Sequence, residues 1–388
     1  MSDNPLIQSI KRGCVQLVRR PMYILTILVM PILTCLVLLN MLGPGVVQRV
    51  PVGIVDLDNS ALSRQLMRNL QAFQQVNINA YYKDFDEAKE AVKRGEVLGF
   101  FYIPTDFDER ALGGRQPTVS YYCNYAYYAP ASMQYKGFKT ISLLANGGIV
   151  QTVLRTAGLR NEQISSTLQP ILDDVHMPGN PWINYNYYLN STFVPCLLAL
   201  FILMVTSFSL GSELKSGFSP QWLRTGGNSI LISLVGKLLP QTVLFTVMGW
   251  FIQWIMYRCL YFPLHCPAWH MMLAMFLLVI ANQSFVVLIF GFVPNFRYGT
   301  TICTLFGMLS FSFCGFSLPQ ESLYSWVNAI GYVMPIKYYF LISGEQALNG
   351  WELFYSRWWY IALIAFCFLP LFTMWRLKQE ARHPNYVP

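Results

Sequence analysis

Apolar residues in this chain gather into six long runs, at 22–42, 187–210, 238–257, 269–293, 299–318 and 358–375. A helix needs about 20 mostly apolar residues to cross about 30 Å of hydrocarbon, so each run predicts a transmembrane helix. The first run carries no charge, follows Lys11, Arg12, Arg19 and Arg20, and leads into Gly43-Pro44-Gly45. Its apolar core is too long for a cleaved signal peptide, and it reads as an uncleaved signal anchor. Tyr187-Tyr188, Tyr257, Tyr261, Trp269 and Trp358-Trp359 stand at run ends, where an aromatic belt would lie.

Between the first two runs the pattern changes. Val52-Gly53-Ile54-Val55-Asp56 reads as a buried strand, and Asp58-Asn59-Ser60 as a turn and helix cap. Leu62, Leu66, Met67 and Leu70 follow at helical spacing. A more polar helix is predicted over 84–94, a strand over 97–103 that Pro104 stops, and a third strand over 119–122. Residues 132–172 read as largely helical. The predicted fold is an α-helical polytopic membrane protein of six transmembrane helices with an inserted α/β (α+β) extracytoplasmic domain. Its parts are a cytoplasmic segment and first span (1–43), the inserted domain (44–180), a bundle of five further spans (181–376) containing a cytoplasmic segment (211–229), and a cytoplasmic tail (377–388).

Composition agrees: 54% of the 388 residues are hydrophobic, 12% are charged, and the mean hydropathy is +0.38. A soluble domain carries about a quarter charged residues. Few charges and many apolar groups also exclude a disordered chain. The net charge of +8 would suggest nucleic acid until it is located. Residues 44–180 hold thirteen basic and thirteen acidic side chains, so the whole excess lies between the apolar runs and reports membrane orientation. With the N-terminus in the cytoplasm, the inner segments hold Lys11, Arg12, Arg19, Arg20, Lys215, Arg224, Arg297, Arg376, Lys378 and Arg382. The short outer loops hold Arg258, Lys337 and Arg357. This asymmetry places both termini inside. Lys237, near the inner end of the third run, is expected to snorkel to the interface.

Catalytic chemistry finds little purchase. The Gly-Lys pair at Gly236-Lys237 is followed by Leu238, with Leu231 where a phosphate-cradling loop needs its first glycine. No catalytic residue, cofactor site or metal site is assigned. Cys259, His265, Cys266 and His270 share an outer loop but match no zinc spacing. A Cys259–Cys266 disulfide, allowed by an oxidising compartment, or two separate thiols are the readings left open. Cys14, Cys35, Cys196, Cys303, Cys314 and Cys367 read as small apolar fillers. The centres of the runs lack Asp, Glu, His and Arg, which disfavours an ion-driven pump. Gln241, Gln253, Asn282 and Gln283 are expected to bond between helices rather than touch substrate. A tyrosine-rich patch, Tyr121, Tyr122, Tyr125, Tyr127, Tyr128 and Tyr135, reads first as packing and second as an aromatic surface for a partner or amphiphilic cargo.

The inner segment 211–229 is short, amphipathic and helix-capable, and carries Trp222, read as exposed. It is either an interfacial helix or a docking helix for a cytoplasmic protein. At this point the chain resembles the membrane subunits of type-2 ABC exporters, the ABC-2 permease family. Val52-Gly53-Ile54-Val55-Asp56-Leu57-Asp58-Asn59-Ser60 is similar to the family's apolar strand followed by Asp and Ser. Leu98 through Phe107, with Pro104 and Asp106, resembles its strand, Pro, acidic residue and Phe. Asn184-Tyr185-Asn186 and Val194-Pro195 match its Asn-rich start and Val-Pro step. Glu213, Lys215, Gly217, Leu223, Gly236, Lys237 and Pro240 follow its cytoplasmic pattern. Met334-Pro335 through Tyr338-Tyr339 and Gly350 resemble its outer re-entrant segment. Phe218 stands where the family usually has Thr, Pro220 or Gln221 where it has a second Glu, and Gly344 where an Arg is common.

The resemblance implies two six-span subunits, identical or different, paired with two cytoplasmic ABC ATPase subunits. Glu213, Lys215, Gly217, Trp222, Leu223 and Arg224 would then receive ATP-driven closure. ATP would be bound by the partner chain, this chain holding no cofactor and not being an enzyme. A periplasmic adaptor suits the large outer domain, the lipid bilayer is the remaining partner, and no nucleic acid is implied. The expected location is a bacterial inner membrane. The expected function is export of an amphiphilic or hydrophobic substrate, such as a drug or lipid. The alternative is a non-transporting anchor or signalling protein whose outer domain binds a ligand or partner.

Overall fold

The computed structural model describes residues 4–43, 45, 49–72, 76–113, 115, 117–126, 131–132, 134–140, 142–144, 179–180, 184–315 and 324–383, with isolated positions at 147, 155, 158, 160 and 163. The chain divides into two compact units, Met1–Gly43 with Met177–Pro388, and Pro44–His176.

Helix α1 (Pro5–Arg19) begins at Asn4, whose side chain accepts the Leu6 N–H at 3.1 Å, with Pro5 in the first turn where no N–H is needed. Helix α2 (Pro21–Met41) follows after Arg20, which is extended as residues before proline are.

The second unit is a four-stranded sheet in the order β2-β1-β3-β4. Strand β1 (Val50–Asp56) leads through α3 (Ala61–Gln71) to β2 (Val76–Tyr81), and then through α4 (Phe85–Arg94) to β3 (Gly99–Ile103). The pairs β1–β2 and β1–β3 are parallel, whereas β4 (Ser120–Cys123), reached past α5 (Phe107–Leu112), is antiparallel to β3. Leu66 and Leu70 of α3 cover Val52, Ile54, Phe101 and Ile103. Ala88 of α4 packs with Val55 and Phe100, so helices lie on both faces. The motif at 56–60 proves to be a turn device. Asp56 accepts the N–H groups of Asp58 and Asn59, both at 3.1 Å, and the Ser63 hydroxyl at 2.8 Å, while Ser60 caps α3 through the Ser63 N–H at 3.0 Å. Tyr121 stacks on Phe101 with centroids 4.7 Å apart, and Tyr122 on Phe100 at 5.1 Å, so these two tyrosines pack. Burial, reinforced by Cys123, pushes the Tyr121 phenol well above its ordinary range. Tyr125 and Tyr135 are exposed. Tyr127, Tyr128 and most of the expected helical stretch 132–172 lie outside the described residues.

The first unit continues with α6 (Tyr185–Lys215), α7 (Ser219–Thr225), α8 (Ile230–Cys259), α9 (Ala268–Phe292) and α10 (Phe296–Phe313). Then come α11 (Ser325–Tyr332), α12 (Pro335–Ile342) with a π-helical turn (Ser343–Leu348), α13 (Leu353–Phe372) and α14 (Met374–Arg382). Among the described residues five helices are long and apolar enough to cross a membrane: α2, α6, α8, α9 and α13. The expected crossing at 299–318 lies in α10, 18 residues long, which is not among these five. At 1.5 Å per residue it reaches about 27 Å, and Arg297, Thr300, Thr301 and Thr304 dilute its apolar character. It runs antiparallel to α6: Phe208 meets Phe296, Gly307 lies against Leu200 and Leu203, and Phe193 stacks on Phe311 at 4.4 Å.

Interior amides bond between helices. Gln241 donates to the Ser209 hydroxyl at 2.9 Å, Thr242 to Gln283 Oε1 at 2.6 Å, and Gln253 to the Met271 carbonyl at 2.9 Å. Asn282 differs, donating within its own helix to the Leu278 carbonyl.

Candidate functional site

One end of the helical unit is organised around a single carboxylate. Glu213, in the last turn of α6, is 3% exposed. Its Oε2 meets Arg12 Nη2 from α1 at 2.9 Å, and its Oε1 meets Lys237 Nζ from α8 at 2.8 Å. Gln16, one turn beyond Arg12, donates to Glu213 Oε1 at 2.5 Å and accepts from Lys237 Nζ at 2.8 Å. Three helices are thereby tied at one point. Removing a partner from a buried ion pair costs about 3–5 kcal/mol, because the other charge stays buried.

Close backbone approach makes the network reachable. A Cβ on Gly13 would stand 2.8 Å from the Gly236 carbonyl oxygen, and one on Gly236 would run into Ser9. Glycine at both positions lets α1 and α8 cross near enough for short polar contacts.

Helix α7 is laid over this crossing. Trp222 Nε1 donates to the Ser233 carbonyl at 3.1 Å, and its ring lies 5.9 Å from Lys237 Nζ. Trp222 and Leu223 are buried among Leu210, Leu214, Leu234, Phe290, and Leu377 and Ala381 of α14. Gly217 and Gly227 take positive φ, +71° and +65°, on either side of the helix. What α7 leaves facing outward is Phe218, 54% exposed, with Gln221 and Arg224.

The expected residues therefore divide. Glu213 is an internal tie, Lys215 is exposed with Nζ 5.4 Å from the Phe296 ring, and Arg224 is exposed. Trp222 and Leu223 correct the expectation of an exposed tryptophan: they hold α7 to the bundle. Lys237 corrects another, since it pairs inside rather than snorkelling. Arg12 and Gln16 complete the site and were unassigned by sequence reasoning; their spacing of one helical turn, opposite Gly236-Lys237, was the available signal.

Cys259 and Cys266 are free thiols in this structure, the first exposed and the second half-buried. Burial pushes the Cys266 thiol up. Among the described residues no three His, Cys, Asp or Glu side chains gather as metal ligands. His176 lies outside the described residues.

Comparison with curated proteins finds no match. The family described as ABC-2 family transporter protein matches residues 21–373, most of the chain and nearly all of the helices above. That membership identifies a multi-pass membrane transport subunit rather than an enzyme, and implies partnership with an ABC ATPase. The chain belongs to the ABC-2 family of transporter proteins.

Proposed function

We propose that this chain is the membrane half of an ATP-driven exporter, crossing the bilayer six times with both termini in the cytoplasm. The inserted unit stands outside, and a separate subunit hydrolyses the ATP. One observation carries the reading. The Glu213 network fastens α1, α6 and α8 together directly beneath α7, whose outward side chains are Phe218, Gln221 and Arg224. A push on α7 is therefore delivered to three helices through a buried, short, charge-assisted joint. Two such chains, identical or different, would enclose the cargo path. The apolar, aromatic-rich helices suit an amphiphilic or hydrophobic cargo handed outward from the cytoplasm or inner leaflet. A bacterial inner membrane is the setting, with a periplasmic adaptor as a further partner.

The deciding experiment is co-purification with the cognate ATPase and reconstitution into sealed vesicles. Hydrolysis stimulated by this chain, together with ATP-dependent cargo movement, supports the reading. Ligand binding by the outer unit with no ATPase partner and no transport would favour a membrane anchor or receptor instead.

A further inference from the structure

Among the described residues three charged side chains are buried: Glu213, Lys237 and Lys337. The first two neutralise one another. Lys337, in the first turn of α12, is 0% exposed and meets no carboxylate among the described residues. Expected in a short outer loop, it stands in a helix and is enclosed. Its Nζ donates to Asn328 Oδ1 of α11 at 2.9 Å and lies 3.5 Å from the centroid of the Tyr332 ring. The Cys314 thiol also faces it, and a Cβ on Gly331 would stand 3.3 Å away. The α11–α12 hairpin that holds it is pinned by the Tyr338 hydroxyl donating to the Tyr332 carbonyl at 2.8 Å.

An ammonium has three donors, and here one is matched by a neutral amide while the ring face offers only a quadrupole. Burying a cation without an opposing charge is costly, and such a group inside a membrane protein marks a functional site. We propose that Lys337 receives the anionic head of the cargo, so that the transported class is amphiphiles bearing a sulfonate, phosphate or carboxylate group. This rests on the exporter reading above and narrows it.

The test uses the chain co-purified with its ATPase in lipid nanodiscs, with dodecanesulfonate, dodecanol and dodecyltrimethylammonium as probes below micellar concentration. ATP hydrolysis is followed against probe concentration. Dodecanesulfonate is expected to half-saturate at least tenfold below the other two. Lys337→Gln should erase that preference and Lys337→Arg should keep it. Asn328→Asp, which sets a carboxylate beside the ammonium and tests the site without removing the lysine, should also raise the dodecanesulfonate half-saturation at least tenfold. A wild-type response blind to charge, or a preference untouched by Asn328→Asp, overturns the inference and leaves the exporter reading intact. A complex with no hydrolysis coupled to this chain overturns the exporter reading instead.

Discussion

Glu213 and Lys237, 24 residues apart in sequence, meet at 2.8 Å with both side chains buried, and Arg12 approaches the carboxylate's other oxygen at 2.9 Å. Removing the carboxylate strands two cations. Glu213→Ala should therefore lower the unfolding free energy by about 3–5 kcal/mol. The Glu213→Leu/Lys237→Met double variant should lose less than the two single losses added together. Thermal unfolding in detergent, analysed as a double-mutant cycle, measures this, and strict additivity would refute the coupling.

Trp222 and Leu223 are buried, so charged substitutions there act on folding. Leu223→Glu should cost about 3 kcal/mol or more by burying an unpaired charge. By contrast Phe218→Glu with Arg224→Glu should keep the melting temperature within about 2 °C, as exposed changes do. That pair should nonetheless cut ATPase co-purification at least tenfold. Undiminished co-purification would remove the outward face of α7 from the docking surface.

Gly236→Ala tests the helix crossing. Its new Cβ meets Ser9 of α1, and overpacking of this sort costs about 1–3 kcal/mol. Protection of α1 from proteolysis is the readout, and unchanged protection would contradict the close approach.

Tyr121 makes a pH prediction. Its phenol titrates above the ordinary value of 10.0 when folded, so it binds its proton more tightly in the native state. The stability this brings is complete below pH 10 and is lost as pH rises through the folded value. Absorbance titration of the full chain should show a late-ionising tyrosine that disappears in Tyr121→Phe. No difference between the two curves would show that Tyr121 is not buried.

Cys259 is exposed and Cys266 half-buried with its thiol pushed up, so maleimide at neutral pH should modify Cys259 several times faster. Both should label equally with and without prior reduction. Labelling that requires reduction would mean the two are bridged in the cell.

The apolar runs and strands were legible because burial is periodic and local. Strand β1 shows through Val52, Ile54 and Val55, and β3 through its apolar run before Pro104. Strand β2 was not, since Asn77 and Asn79 interrupt its inward Val76 and Ile78 and asparagine is poor in strands. The charged side chains were the least legible. Lys237 and Lys337 each looked water-facing by position, and only the packing of distant helices reveals that one is paired and the other is enclosed. Trp222 misled for the same reason: what covers it comes from α8 and α14, further along the chain.

Arg12 and Gln16 precede the stretch that the family match covers, as Leu377 and Ala381 follow it. A chain trimmed to 21–373 would keep every crossing helix yet leave a buried carboxylate with one cation instead of two and an uncovered indole. Engineering for expression should therefore spare both ends, because the ends are where the molecule closes over its own charge.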